Sequence, residues 1–284
     1  MKRAIAVLMA LALLCAFAAC TEKIEMEPTE PLVTTEPAPA STAEITTGIT
    51  ETETETETET ETETDAPKDP AAMDKAALIN YFNQAANHVR SERPGLNFEV
   101  TNKILNPKLS GFAGILNPIV DAVVKSLMPG ATEYISIAKG EDNAPHFLSM
   151  VQATASSIRP GDVASISAAR SGADYVITVR LVTEVNPGID GQSAHSRLFR
   201  IKSRQQLLDS ISKENGKITA DAENVRLEYY NGNVVMTVDA QGRVQGLTGG
   251  YDVKVTAADA KMVGMTVDFH CDQTSRIAAK NFVW

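Results

Sequence analysis

The chain has 284 residues, 43% of them hydrophobic and 5% aromatic, with a formal net charge of −10. That length accommodates one or two domains, and a domain near neutrality, as the charge partition below leaves it, argues against nucleic acid, which needs a basic stripe. The charge is uneven: residues 21–72 hold fifteen acids against two lysines, which leaves residues 73–284 close to neutral.

Met1-Lys2-Arg3 is a short positive start, and Ala4 to Phe17 is an apolar run without a charge. Small residues Ala18 and Ala19 then precede Cys20. These are the three parts of a secretory signal peptide over residues 1–19, and its apolar run is too short for a permanent membrane span. A cysteine directly after two small residues resembles the lipobox of bacterial lipoproteins, with Phe17 departing from the leucine usual at that position. The resemblance implies that Cys20 is diacylated after cleavage just before it, and that the chain is held on the outside of the cell membrane. Two acyl chains suffice for stable anchoring.

From Thr21 to Ala72 threonine, glutamate and proline dominate, and Glu51 to Thr64 alternates Thr and Glu without a break. Such a segment buries too little apolar surface to offset its ordering entropy, so a disordered tether is expected over residues 20–72. Like charges and prolines extend it; fifty-two residues reach at most ~170–190 Å. That reach suits a spacer through a thick wall, as on a Gram-positive surface.

Residues 73–284 read as one α+β domain, with an antiparallel and curved sheet packed on two to four helices. Asp74 is an N-cap, and Leu78, Phe82, Ala85 and Val89 recur at helical spacing up to Pro94-Gly95. Leu96, Phe98 and Val100 then alternate as a strand that Asn106-Pro107 should end. Asn117-Pro118 opens a second helix with an apolar stripe from Ile119 to Leu127. Strands follow at Glu133–Lys139, Val163–Ala169 and Tyr175–Val182, the last two joined through Ser171–Asp174; Phe147–Ser157 is ambiguous. A polar loop runs from Asn186 to Ser193, after which Leu198–Lys202 alternates. Ser203 and Gln206 form a capping box for a further helix. A meander then follows, with hairpin turns expected at Asn231-Gly232, Asp239–Gly242 and Ala258-Asp259, a long strand from Val263 to Cys271, and Ile277–Val283 closing the sheet. The domain divides into helix-then-strands halves, 73–202 and 203–284, without a residue-level repeat.

The usual catalytic motifs are absent from the sequence. Ser210 and Lys213 fit Ser-x-x-Lys, but none of the companion motifs follows. His88, His146, His195 and His270 are not spaced as metal ligands. His270 and Cys271 are adjacent on a strand and so face opposite ways. The loops Glu141–Asn143 and Asp190-Gly191 lack the spacing of a calcium site. Of Tyr229 and Tyr230, one ring should be buried and one exposed. No catalytic, cofactor or metal residue is therefore expected, and Cys20 is the one modified site. The expected partners are the membrane and an unknown protein, wall polymer or apolar ligand, with no nucleic acid. The layout resembles, at the level of architecture, the half-barrel carriers of lipoprotein and lipid in bacterial envelopes. That resemblance implies an apolar ligand between the sheet and its helices. An envelope hydrolase is the alternative, and would need His146 or His195 beside an Asp or Ser.

Overall fold

The computed structural model describes residues 69–110, 132–143, 157–215, 218–262 and 265–284, together with Gly114, Asn117, Phe147 and Leu148. Residues 20–68, which hold Cys20 and most of the expected tether, the stripe from Ile119 to Leu127, His146 and most of Phe147–Ser157 lie outside the described residues; Pro70–Ala72, at the end of the expected tether, form a 3-10 turn.

The first helix, α1, spans Lys75–Glu92. The Asp74 carboxylate accepts from the backbone N–H of Ala77 at 2.8 Å and satisfies one of the free donors of the first turn. Arg93 ends it in the left-handed region, its N–H returning to the Val89 carbonyl, and Pro94 cannot continue a helix. One stripe, Leu78, Ile79, Phe82, Ala85, Ala86 and Val89, is buried.

The strands are β1 (Gly95–Leu109), β2 (Thr132–Ile137), β3 (Val163–Ser171), β4 (Asp174–Leu181), β5 (Glu184–Val185), β6 (Ile218–Thr219), β7 (Val225–Val238), β8 (Val244–Met262) and β9 (Met265–Val283). Two further helices are α2 (Ala194–Leu198) and α3 (Arg204–Asn215). All strands join one antiparallel sheet in the order β2-β1-β9-β8-β7-β4-β3, with β5 on β7 and β6 on β8. The strands of the second half thus sit between those of the first, and both halves share one core. The structure is strand-dominated, with few helices.

The inner face carries continuous apolar rows. At one level Ile135, Phe98, Ala279, Leu247, Met236, Ile177 and Ala168 follow one another from β2 to β3. Helix α1 is tied near both edges of this face. Lys75 Nζ donates to the Val163 carbonyl on β3, while the loop after β2 returns to the other end of the helix through Asn143 Nδ2 to the Val89 carbonyl and Gly140 N–H to the Arg93 carbonyl. Eighteen helical residues extend ~27 Å, close to the ~29 Å spanned by seven strands, so the helix runs across the strands.

Three expected breaks are bulges inside long strands. At Asn106-Pro107, Asn231-Gly232 and Ala258-Asp259 one strand advances three residues while its partner advances two. Asn106, Asn231 and Asp259 hold the left-handed conformation there. Each is tied to an aspartate of the neighbouring strand: Asn106 Nδ2 to Asp272, Asn231 Nδ2 to Asp252, and the Asp259 N–H to Asp268. An extra residue switches the parity of the buried positions. On β7 the inner residues change from Leu227 and Tyr229 to Val234 and Met236, a switch that a hairpin would also write into the sequence. Asp239–Gly242 is a true turn, built on Asp239 accepting from the N–H groups of Gln241 and Arg243. Ile277–Val283 continues β9 rather than forming a separate strand. Leu198–Lys202, whose alternation suggests a strand, instead ends α2 and runs on outside the sheet.

Candidate functional site

Two polar clusters lie on the inner face. The first centres on His195. The bulge at Asn231-Gly232 brings the backbone of Gly232 to the inner side of β7. A Cβ there would sit 2.6 Å from His195 Nε2 and 3.1 Å from the Leu181 Cβ, so glycine is required for the ring to seat. Short strand β5 places Glu184 under α2, where its carboxylate accepts from the N–H of Ala194 at 3.0 Å and of His195 at 2.9 Å. It also meets His195 Nδ1 at 2.8 Å. Ser193 and Ser196 cap each other at the start of α2.

The His195 side chain is fully buried, with the Tyr229 centroid 5.6 Å away and the Tyr251 centroid 6.1 Å; Phe199 packs on Tyr251 at 5.1 Å. The Tyr229 hydroxyl donates to the Lys202 carbonyl and that of Tyr251 to the Arg200 carbonyl. Burial pushes both phenols up, Tyr251 to about 12 and Tyr229 further. Burial also acts to raise Glu184, but the hydrogen bonds from the His195 ring and from the two backbone N–H groups outweigh it and hold the carboxyl below its usual value. The other ring nitrogen, Nε2, is buried and has no hydrogen-bond partner.

A hydrolase needs a base, an orienting acid and a reachable nucleophile. Glu184 supplies the acid, a glutamate where Asp or Ser was expected. Nε2, however, faces the backbone of Gly232, and no hydroxyl lies within hydrogen-bond distance of it. The pair staples α2 and the 186–193 loop onto β7 and β8.

The second cluster lies beside the first, over β1, β9 and β8. Paired register positions bring Asn102, Ser275 and Tyr251 side by side, with Ile104, Gln273 and Val253 in the next row. Ser275 and Gln273 are buried polar residues in an otherwise apolar face. Arg200 follows α2, and its carbonyl accepts from the Tyr251 hydroxyl of the first row. Its Nε is buried without a hydrogen-bond partner. Burial lowers its pKa, and the charge of Glu133 on β2 partly offsets that.

The remaining expected positions have structural roles. Cys271 is buried and not in a disulfide, while His270 faces the other way, 3.6 Å from Asp272. Tyr229 is buried and Tyr230 is not. His88 stacks on Trp284 at 5.1 Å, and Trp284 Nε1 donates to the Val244 carbonyl. Glu141 accepts from the Ala138 N–H and Asn143 caps the end of α1. Asp190 and Gly191 form a turn with both residues left-handed. The side chains of Ser210 and Lys213 lie outside the described ones. Among the described residues no three His, Cys, Asp or Glu side chains come together as a metal site, and no helix is long and apolar enough to cross a membrane. Sequence reasoning missed Glu184 and Arg200. The one local hint for Glu184 was a carboxylate shortly before a Ser-capped turn.

No family model, curated protein or solved structure matches the chain.

Proposed function

We propose that the chain is a lipid-anchored envelope protein whose domain is a non-catalytic binding or structural module. Cys20 after Ala18-Ala19 and the charge-free run Ala4–Phe17 carry this reading. The thiol takes the lipid, and residues 21–72 hold the domain away from an extracytoplasmic membrane surface, as on a Gram-positive cell. The site chemistry agrees: among the described histidines, the one whose ring is hydrogen-bonded to an acid is sealed against Gly232. The test is to express the full chain and its Cys20→Ser variant in a bacterial host. The wild type is expected in the membrane fraction with incorporated radiolabelled palmitate, and the variant in the medium without label. Label in both, or an unlabelled wild type in the medium, overturns the anchor.

A second reading, a carrier of an apolar ligand in a curved sheet, draws on α1, whose two ends are tied near opposite edges of the sheet. It also draws on Val100, Ile135 and Ile277, which face inward beside fully buried neighbours and are themselves only partly covered.

A further inference from the structure

We propose that the inner face over β1, β9 and β2 is a binding site for an acidic amphiphile, with Arg200 as the contact for its charged head. The inference goes beyond the anchor and does not depend on it. Three observations carry it. Register brings Glu133, Val100 and Ile277 into one row across β2, β1 and β9, and Asn102, Ser275 and Tyr251 into the next. The surface is therefore apolar at one level and rich in hydroxyl and amide groups at the adjacent one. Val100 and Ile277 are half-buried and Glu133 is exposed, so the row opens to solvent at the β2 edge.

Arg200 supplies the charge. Its backbone carbonyl is fixed by the Tyr251 hydroxyl at 3.0 Å, which roots the residue beside the polar row, and its guanidinium lies near enough to Glu133 for the two charges to interact. Its Nε–H is buried without an acceptor, an arrangement that native structures resolve with a partner. A planar guanidinium is suited to a carboxylate or phosphate, which it can hold through two parallel hydrogen bonds. Ser275 and Asn102 stand at the same level, and Val100, Ile277 and Ile104 offer contact to an alkyl chain. The nearby negative charge of Glu133 disfavours a second anion, so it sets the affinity against Arg200. A neutral apolar molecule gains nothing from Arg200, and a small inorganic anion leaves the apolar row unused.

The experiment uses the full chain carrying Cys20→Ser, so that its own acyl groups do not compete and its outcome is separate from that of the anchor. cis-Parinaric acid is the fluorescent probe and its methyl ester the uncharged control. The acid is expected to bind saturably, and Arg200→Met to weaken it by about tenfold or more while leaving the ester unchanged. Arg200→Lys is expected to keep part of the affinity, and Glu133→Gln to tighten the acid a few-fold. Displacement by dodecanoate and by dodecyl phosphate then separates the two head groups; either, dependent on Arg200, supports the site. Equal displacement by dodecanol, equal loss of acid and ester in Arg200→Met, or no saturable binding by a folded wild type overturns it.

Discussion

The two faces of the sheet use the same side-chain chemistry to different effect. On the outer face Glu99 pairs with Lys280, Arg276 with Asp252 at 2.6 Å and Arg226 with Glu228 at 3.2 Å. The basic partners are about half exposed, so water and salt compete with every pair. On the inner face Glu184 and His195 meet at 2.8 Å with the imidazole out of water altogether. There the acid also caps a helix, the ring fills space between two tyrosines, and loss of either partner strands the other. The outer ladder adds solubility and strand register; the inner pair decides whether α2 docks.

The largest effect is expected from His195→Ala, which opens a cavity beside Tyr229 and Tyr251 and removes the ring donor of Glu184. A loss of about 3–5 kcal/mol is expected, measured by urea unfolding followed through Trp284, the single tryptophan. A loss below 1 kcal/mol would place His195 outside the cooperative core. Gly232→Ala tests the same contact from the sheet side. Its Cβ has no room beside Nε2, and about 1–3 kcal/mol is expected; a neutral result would mean that the ring seats elsewhere.

Glu184→Gln is expected to cost about 1–3 kcal/mol at neutral pH, and its pH dependence sharpens the contrast. The folded-state value of Glu184 lies below its ordinary 4.5, so its contribution is fully present above that value. It is lost as pH falls through the lowered one. The gap between wild type and variant should therefore shrink as pH falls below about 4.5. A gap that widens below that value would reverse the assignment. Lys280→Ala, on the outer face, is expected to change stability by no more than about 1 kcal/mol, and by less in about 1 M salt. A larger, salt-insensitive loss would erase the distinction between the faces.

Much of the fold was legible because its signals are local. Asp74 and Arg93-Pro94 bound α1 within a residue of the expectation, and Ser203 and Gln206 exchange the two hydrogen bonds of a capping box. The Ser171–Asp174 turn and the opposite facing of His270 and Cys271 follow from strand periodicity in the same way. The bulges were not legible as bulges. Asn231-Gly232 with a parity switch on either side describes a hairpin and a bulged strand equally well, and β8 decides between them by pairing with both arms in one direction. The site was the least legible part. Glu184 reaches His195 only because β5 pairs with β7, and Ser275 stands beside Tyr251, which holds the Arg200 carbonyl, only because β9 lies beside β8.

By itself, then, the sequence determined the charge partition at about residue 72, the ends of α1 and α3's capped start, and which face of each strand is apolar. Caps and side-chain periods act over a few residues and need no distant partner. Only the tertiary structure decided which Asn and Asp signals bend a strand instead of ending it, and which polar residues meet across the inner face. Those outcomes depend on pairing between segments tens of residues or more apart, where the energy of a register belongs to both strands and is written in neither alone.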